Sequence, residues 1–159
     1  MSSEINDIKC ILYDFDGVMT DNRVTVDQYG NESVTCNRGD GYGISQIKKL
    51  GIEQVIISTE VNPVVEMRAK KLRIPVIHGV EDKGEVLRKY CEEKGYSLSS
   101  VLYMGNDLND MPAMELAGYK AAPADAEQEI LDIADWISER NGGYGAVRDL
   151  YRYISENID

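Results

Sequence analysis

The feature that most constrains this chain is a short apolar run near its start that ends in two closely spaced aspartates. Residues 8–12 are mostly bulky and apolar, and Asp14 and Asp16 follow them directly, just before Gly17. A short apolar run bounded by a glycine is typical of a buried strand that enters a loop. Asp14 and Asp16 are therefore expected at the carboxyl end of a strand, and this edge of an open α/β sheet binds ligands.

Strand-like and helix-like segments alternate along the rest of the chain. The later strands are predicted at 54–58, 75–77, 101–104, 120–122 and 135–137, and the helices at 42–50, 63–72, 83–94, 110–117, 126–133 and within a C-terminal tail at 141–158. Such alternation predicts a Rossmann-like α/β fold, a parallel sheet between two helical layers, in one domain of residues 1–159. The polar residues 1–7 are expected to be frayed.

A β-hairpin is predicted between the first strand and the first helix. Two β-rich runs, at 23–27 and 32–36, flank a turn that contains Gly30. This pattern is typical of a hairpin, here spanning about residues 23–36. A hairpin that protrudes from a sheet needs a partner to bury its apolar face.

The charge and composition of the chain exclude several classes of protein. Its formal net charge of −11 opposes binding to nucleic acid, and no cluster of Lys and Arg along the sequence favours such binding locally. Neither a signal-peptide pattern nor an apolar run of membrane-spanning length is evident, so a cytoplasmic protein without a membrane partner is expected. The 3 cysteines lack C-x-x-C spacing, which argues against a disulfide framework and a zinc site.

Polar residues that follow the predicted strands should meet at one edge of the sheet. Besides Asp14 and Asp16, they include Ser58, Lys83 and the segment 105–110. Side chains one residue apart on an extended chain point the same way, so one aspartate is suited to attack and the other to proton transfer. Their mutual repulsion calls for a cation, and oxygen ligands suit Mg²⁺. Alternatively, the two aspartates only cap the loop.

The string at 14–21, Asp-Phe-Asp-Gly-Val-Met-Thr-Asp, resembles the first motif of the haloacid dehalogenase (HAD) superfamily of phosphotransferases. The later motifs follow in the family's order, and the resemblance covers essentially the whole chain. It implies that Asp14 is a nucleophile that forms an aspartyl-phosphate and that Asp16 is the general acid and base. It also implies that Ser58 binds a phosphoryl oxygen and that Lys83 neutralises the nucleophile and the phosphoryl charge.

The same resemblance implies the ligands of a Mg²⁺ ion. They are the Asp14 carboxylate, the Asp16 backbone carbonyl and residues of the fourth motif. Asn106 stands where the family usually has Asp, which removes a negative charge and predicts a weaker metal site. Asp107 or Asp110 is expected to compensate, directly or through water.

The spacing of the motifs leaves no room for an inserted cap domain, so the chain resembles a capless member of the superfamily. Its hairpin, the segment 37–43 and the tail segment 142–148 resemble the phosphatases of 3-deoxy-octulosonate 8-phosphate and of nine-carbon nonulosonate 9-phosphates. In that group hairpins assemble tetramers and a neighbouring subunit helps to close the pocket, which implies a homotetramer. The octulosonate enzymes tend to have Gly-Arg after the second motif, whereas this chain has Thr59-Glu60, which favours the nonulosonate branch.

Substrate contacts are expected from polar side chains beside the motifs. A carboxylate at Glu60 is suited to accept hydrogen bonds from sugar hydroxyls, and nearby cations are suited to bind the carboxylate of the sugar acid. The candidate substrate-binding residues are Thr59, Glu60, Arg68, Lys71, Arg38, Asp40 and Tyr144. Arg68 and Lys71 fit a solvated helix face equally well, and Arg38 and Asp40 fit the junction between hairpin and helix. Tyr144 stands where many relatives have Arg.

The leading hypothesis is a Mg²⁺-dependent phosphatase of a sugar-acid phosphate in sialic acid or KDO biosynthesis. Nonulosonate 9-phosphate is the preferred substrate and octulosonate 8-phosphate the next. The alternative is a catalytically weak HAD domain that acts in oligomerisation or regulation beside a CMP-sialic acid synthetase. Intact Asp14, Asp16 and Lys83 favour the enzyme. A signalling receiver is a third reading, but no residue matches its phosphoacceptor position.

Overall fold

A computed structural model describes residues 4–159 of the chain. Within this range the strands are β1 (Cys10–Tyr13), β2 (Thr25–Val26), β3 (Glu32–Ser33), β4 (Glu53–Ile57), β5 (Val76–Ile77), β6 (Val101–Met104), β7 (Tyr119–Ala122) and β8 (Trp136–Ile137). The α-helices are α1 (Arg38–Lys49), α2 (Val64–Leu72), α3 (Lys83–Lys94), α4 (Met111–Leu116), α5 (Gln128–Ile133) and α6 (Ala146–Asn157). None of these helices has the length and apolar character needed to cross a membrane.

The main sheet has six parallel strands in the order β5-β4-β1-β6-β7-β8. Strand β1 lies between β4 and β6, with Tyr13 paired to Ile56 on one side and to Met104 on the other. The amide of Asp14 continues this pairing by donating to the Met104 carbonyl at 2.9 Å. The predicted α/β fold is confirmed. Asp14 directly follows a central strand of the sheet.

Helices cover both faces of the sheet, and the buried residues of β1 alternate between the two apolar clusters that these helices form with it. Ile11 and Tyr13 belong to the cluster formed with α1, α2 and α6. Cys10 and Leu12 belong to the cluster formed with α3, α4 and α5. A strand that is apolar on both sides is typical of a sheet buried between two helical layers.

The hairpin is shorter in its paired region than the sequence predicts. Strands β2 and β3 pair over two residues each, and a single antiparallel bridge between Thr20 and Cys36 closes the base. Its turn is stabilised by Asp27, whose carboxylate accepts the backbone amides of Tyr29 and Asn31 at 2.8 and 2.9 Å. The tip stands off the sheet, and the side chain of Tyr29 is 81% exposed.

Helix α1 begins at Arg38, four residues earlier than the predicted start at residue 42. The side chain of Asn37 accepts the backbone amide of Gly39 at 2.8 Å and so caps the first turn. Glycines in this turn obscure its helical propensity in the sequence. Arg38 and Asp40 consequently lie on a helix and not in a connecting loop.

The prediction of a frayed N-terminus is wrong for the part that the structure describes. Residues Ile5–Asp7 form a 3₁₀ turn, and Ile5 is buried against the cluster that includes α6. The side chain of Asn6 also bonds to Asp159 at the other end of the chain. Residues 1–3, the remainder of the predicted frayed segment, lie outside the described residues.

Candidate active site

The centre of the site is a contact between the end of β1 and the start of α3. Lys83, the first residue of α3, places its ammonium nitrogen 2.9 Å from Asp14 Oδ1 and 2.8 Å from Asp110 Oδ1. The Lys83 side chain is fully buried, and that of Asp14 is 8% exposed. A buried ammonium needs such partners, because an unpaired charge costs several kcal/mol to bury. The parallel strands thus bring Asp14 and Lys83 together, as the sequence predicted.

The carboxylate of Asp110, an expected metal ligand, accepts hydrogen bonds on both of its oxygens. Its Oδ1 accepts the Lys83 ammonium and the hydroxyl of Tyr103, the latter at 2.6 Å. Its Oδ2 accepts the backbone amides of Asn106 at 2.9 Å and Asp107 at 3.2 Å. With four donors and no exposed surface, Asp110 orients Lys83 and the fourth-motif loop. The contact of Tyr103 with Asp110 was not predicted from the sequence, because no local pattern distinguishes this tyrosine from others in strands.

Asn106 faces Asp14 across a small space lined by oxygen atoms. One terminal atom of its amide lies 2.9 Å from Asp14 Oδ2 and 3.0 Å from the Asp16 backbone carbonyl oxygen. With the amide nitrogen in this position, Asn106 donates hydrogen bonds to both oxygens. With the amide oxygen there, Asn106 lies from each of the other two oxygens at about the distance of 2.9 Å that separates adjacent ligands of octahedral Mg²⁺. The residues present therefore fit a magnesium ion.

Asp107 caps a short turn of the fourth-motif loop, and its role at a metal stays a prediction. Its Oδ1 accepts the backbone amide of Leu108 at 2.7 Å and caps the short 3₁₀ turn Leu108–Asp110. Among residues 4–159, no group of three or more His, Cys, Asp or Glu side chains converges as a metal cluster. The oxygen set around Asn106 consists of one carboxylate, from Asp14, one amide and one backbone carbonyl.

The loop after β1 holds the second aspartate through Thr20. The Thr20 hydroxyl donates to Asp16 Oδ1 at 3.3 Å and accepts the backbone amides of Gly17 and Asn22. Burial raises the pKa of Asp16 above its ordinary value, and the hydrogen bond from Thr20 opposes this rise. Burial and the nearby Asp110 carboxylate also raise the pKa of Asp14, with Lys83 acting against them. The raised pKa of Asp16 suits this residue to donate a proton.

The C-terminal tail packs directly on the backbone of this loop. A methyl group at Gly142 would lie 1.9 Å from the Gly17 carbonyl oxygen, and one at Gly143 would lie 2.5 Å from the Asp21 amide nitrogen. The Gly143 amide donates to the Val18 carbonyl at 3.2 Å. These glycines are required for close approach, a role that the sequence did not reveal because their contacts lie more than 100 residues away.

The second-motif segment separates into a buried and an exposed part. Ser58 is buried at the end of β4, where its hydroxyl accepts the backbone amide of Glu60 at 3.1 Å. Thr59 and Glu60 are exposed. Glu60 and Asp16 line the same cavity, of about 180 Å³, between the hairpin and α2, together with Glu32. The candidate general acid and base, Asp16, therefore lies in the lining of this cavity.

The predicted substrate cations lie in a different depression from Glu60. Arg38, Arg68 and Lys71 line a groove between α1 and α2, whereas none of them lines the cavity beside Asp16. The groove collects seven Lys and Arg side chains, which corrects the expectation of no basic cluster. The sequence hides this cluster because its members are spread over two helices.

Asp40 and Tyr144 are also placed outside the cavity beside Asp16. Asp40 is 2% exposed, and its carboxylate accepts the backbone amide of Arg148 at the start of α6 at 3.0 Å. Burial raises its pKa to about 6. Asp40 therefore joins α1 to α6, and its contact with substrate stays a prediction. Tyr144 is 60% exposed in the tail and lines neither the cavity nor the groove.

Comparison with known proteins agrees with the geometry of the strand ends. A family model for haloacid dehalogenase-like hydrolases matches residues 52–149. The chain belongs to this family. The expectation of an enzyme of the hydrolase class is thereby confirmed, and the motif residues Ser58, Lys83 and Asn106 lie within the matched segment.

Three known proteins are similar to this chain in sequence or in structure. The chain is 32% identical over 149 residues to 3-deoxy-D-manno-octulosonate 8-phosphate phosphatase KdsC of Escherichia coli, covering 93% of this chain and 79% of that protein. It is 29% identical over 151 residues to N-acylneuraminate cytidylyltransferase A of Danio rerio, covering 92% of this chain but only 35% of that protein. The crystal structure of the octulosonate phosphatase from Moraxella catarrhalis, in complex with magnesium, phosphate and KDO, superposes with a TM-score of 0.93 at 30% identity, covering 97% of this chain and 89% of that one.

Proposed function

We propose that this protein is a Mg²⁺-dependent phosphatase that hydrolyses a sugar-acid phosphate, with nonulosonate 9-phosphates preferred over octulosonate 8-phosphate. The observation that carries the proposal is the buried contact of 2.9 Å between Lys83 and Asp14, beside the oxygens that face Asn106. The similarity to phosphatases that act on octulosonate 8-phosphate supports the substrate class.

The chemistry follows from the placement of the two aspartates. Asp14 attacks the phosphorus in line, so that an oxygen–phosphorus bond to its carboxylate forms as the bond to the sugar oxygen breaks. Asp16 gives its proton to the departing sugar oxygen and later takes one from the water that hydrolyses the aspartyl-phosphate. Lys83 remains paired with Asp110 and supplies positive charge beside the nucleophile. A bound Mg²⁺ would be held by Asp14, the Asp16 carbonyl and Asn106, and would offset the charge of the phosphoryl oxygens.

The lining of the cavity supports a polyhydroxylated substrate. Glu60 and Glu32 add carboxylates to the wall beside Asp16, and these accept hydrogen bonds from sugar hydroxyls. Arg68 follows Val64, which lines the cavity, by one turn of α2, or about 6 Å along the helix axis. A nine-carbon chain that extends from the cavity along α2 would meet Arg68 or Lys71 with its carboxylate.

Assembly through the hairpin would complete the cavity. Its volume of about 180 Å³ is below the range of roughly 300–1,000 Å³ in which proteins usually enclose small ligands. Val24 and Val26 on the hairpin remain 54% and 57% exposed, so a neighbouring copy would bury them. A homotetramer is proposed on this basis, and sedimentation of a Val26→Asp variant tests it. Dissociation into smaller species is expected, and an unchanged sedimentation coefficient would contradict this assembly.

The function is tested by phosphate release from a panel of sugar-acid phosphates in the presence of Mg²⁺. Asp14→Asn should lower turnover by at least 1,000-fold, on the order of the loss found when a nucleophile is removed. Asp132→Asn makes the same change of charge at an exposed position of α5 and should retain wild-type activity. Absence of turnover on every ester, or full activity in Asp14→Asn, would refute the proposal.

The preference for nine-carbon substrates is tested at Glu60. Removal of its carboxylate in Glu60→Ala should reduce kcat/KM for nonulosonate 9-phosphate more than for octulosonate 8-phosphate, because the longer substrate offers more hydroxyls. Glu66→Ala on the exposed face of α2 is the matched control. Equal losses on the two substrates would remove the basis for the nonulosonate preference.

A second candidate is a catalytically weak domain that assembles with a CMP-sialic acid synthetase. The similarity to the cytidylyltransferase of Danio rerio and the amide at Asn106 favour it. Under this alternative, wild-type protein would form oligomers and co-sediment with the synthetase, yet release no phosphate from any sugar-acid ester. Turnover that is lost in Asp14→Asn would exclude it.

A further inference from the structure

The loop that follows strand β7, residues 123–127 and named here the β7 loop, joins two parts of the candidate site that are distant in the sequence. The Ala124 amide donates to the Arg140 carbonyl, and the Glu127 amide donates to the Asn106 carbonyl, each at 2.9 Å. The β7 loop is thus bonded at one end to the start of the C-terminal tail and at the other to the fourth-motif loop.

Asp125, in the middle of the β7 loop, reaches the tail with its side chain. Its Oδ1 accepts the backbone amide of Gly142 at 2.9 Å. Gly142 is buried, whereas Asp125 is exposed. A buried backbone amide requires an acceptor, so the Asp125 carboxylate fixes where Gly142 lies.

Gly142 transmits this contact to residues 16–21, named here the acid loop because they include Asp16. A methyl group at Gly142 would overlap the Gly17 carbonyl oxygen and would lie 3.0 Å from the Thr20 carbonyl oxygen. Gly142 therefore lies directly against the backbone of the acid loop. The Thr20 hydroxyl in turn donates to Asp16 Oδ1, so a displacement of Gly142 would also displace the carboxylate of Asp16.

These contacts form a closed ring around the site. On the side opposite the tail, Gly17 packs on Asn106 so closely that a methyl group at Gly17 would overlap the Asn106 amide. The ring runs from the Asn106 side chain through Gly17, Gly142 and Asp125 to the β7 loop, which returns to the Asn106 backbone. Asp125 makes the one link in this ring that depends on an exposed side chain, and it can therefore be replaced without disturbing the core.

We propose that Asp125 is a positioning residue, which holds the acid loop through Gly142 and so keeps Asp16 within reach of the departing oxygen. This role rests on the proposed phosphatase function, in which Asp16 protonates that oxygen. Proton transfer requires the acid to lie at hydrogen-bond distance, and a displacement of about 1 Å can lower the rate by about 100-fold. The bond to Gly142 needs an acceptor oxygen and no charge, so an amide side chain should replace the carboxylate.

Comparison of two esters in Asp125→Ala tests the role. On the better substrate of octulosonate 8-phosphate and nonulosonate 9-phosphate, kcat/KM should fall at least tenfold. On p-nitrophenyl phosphate it should change by less than about threefold, because the nitrophenolate departs without needing a proton from an acid. Asp125→Asn, which keeps the acceptor oxygen, should retain kcat/KM on both esters to within about twofold.

Hydrogen exchange of the free protein measures the restraint on the acid loop without any turnover. The amides of residues 17–22 should exchange at least fivefold faster in Asp125→Ala and as in wild type in Asp125→Asn. The control is Asp135→Ala, which removes an exposed carboxylate that accepts the Lys120 backbone amide at 2.8 Å beside the start of β8. It should leave the exchange of these amides and both values of kcat/KM unchanged.

The outcomes distinguish the role of Asp125 from the proposed function. Equal losses on the two esters, a defect in Asp125→Asn as large as in Asp125→Ala, or unchanged exchange of the acid loop in Asp125→Ala would overturn the role. Faster exchange in Asp125→Ala, in a protein whose wild type hydrolyses neither ester, would refute the phosphatase function and leave Asp125 as the residue that holds the acid loop.

Discussion

Replacement of Asn106 by Asp is the most direct test of how charge and hydrogen bonding are balanced in the oxygen-lined space beside Asp14. The amide atom that faces this space is 2.9 Å from Asp14 Oδ2 and 3.0 Å from the Asp16 carbonyl oxygen, and Asn106 is 7% exposed. Asn106→Asp exchanges a side chain that donates to both oxygens for a carboxylate that repels both. Lys83 does not offset the new charge, because Asp14 and Asp110 already share its ammonium.

The expected cost follows from these distances. Two unit charges about 3 Å apart repel by about 5 kcal/mol at an effective dielectric constant of 20. The penalty is limited, because protonation of an ordinary Asp at pH 7 costs about 4 kcal/mol and restores a donor toward Asp14. We therefore expect the metal-free variant to lose about 2–4 kcal/mol of stability at pH 7, or roughly 5–15 °C in Tm.

In saturating Mg²⁺, Asn106→Asp should instead be more stable than wild type. An added carboxylate strengthens an oxygen site for a hard cation, so the Kd of Asn106→Asp for Mg²⁺ should fall at least tenfold. Thermal unfolding in EDTA and in saturating Mg²⁺, together with titration calorimetry, measures both effects. The increase in Tm on addition of Mg²⁺ should be several-fold larger in the variant than in wild type.

The control is Asn109→Asp, which introduces the same charge at an exposed position of the same loop. It should leave the Tm in EDTA and the affinity for Mg²⁺ close to wild type. The reasoning would be refuted if Asn106→Asp were as stable as wild type in EDTA, or if Mg²⁺ stabilised both proteins equally.

Three other substitutions probe the supporting structure. Tyr103→Phe removes the 2.6 Å hydrogen bond to Asp110 and should cost about 1.5–3 kcal/mol in urea unfolding, since the acceptor is charged. Gly142→Ala would place a methyl group 1.9 Å from the Gly17 carbonyl; it should cost about 3 kcal/mol and lower kcat at least tenfold by moving the loop. For Asp40, with a pKa of about 6 in the folded protein and about 3.9 when unfolded, the stabilising effect of protonation is complete below pH 3.9. It is lost as the pH rises through 6, by about 3 kcal/mol. Asp40→Asn should lack this dependence in unfolding measured from pH 4 to 8.

Each of these predictions has its own control. Tyr119→Phe removes a 2.6 Å hydroxyl contact remote from the site and should lower stability without changing kcat. Gly41→Ala puts a methyl group in ordinary contact, 3.4 Å from Leu72, and should be tolerated. A wild-type kcat in Gly142→Ala, full stability of Tyr103→Phe, or an Asp40→Asn curve parallel to wild type would each contradict the corresponding argument.

The chemical centre was predictable because it depends on order along the chain. A strand followed by two aspartates, and a lysine that begins a helix after a later strand, must meet at one edge once the sheet is parallel. The helix predicted at 83–94 and the strand predicted at 101–104 have the observed bounds. These two elements place Lys83 and the fourth-motif loop, so the contact of Asp14 with Lys83 required no knowledge of side-chain packing.

The surroundings of this centre were less predictable because they depend on packing between distant segments. Asp110 was expected at a metal, yet four donors that only the folded loop assembles direct it to Lys83. The start of α1 was obscured by its glycines, so the position of Asp40 under α6 was missed. The groove between α1 and α2, which seven Lys and Arg side chains line, arises from the lateral contact of these helices, which no local pattern in either helix specifies.

The position of β1 between two neighbouring strands bears on which parts of the site open most readily. The amides of Cys10–Tyr13 are shielded on both sides by β4 and β6, whereas β2 and β3 pair only with each other over two residues. Hydrogen exchange should accordingly be slowest under the nucleophile and fastest in the hairpin. Strand β1, which carries the nucleophile, would open only on global unfolding, whereas the hairpin beside it opens locally. The hairpin can therefore accept substitutions that change the substrate while the reaction stays the same.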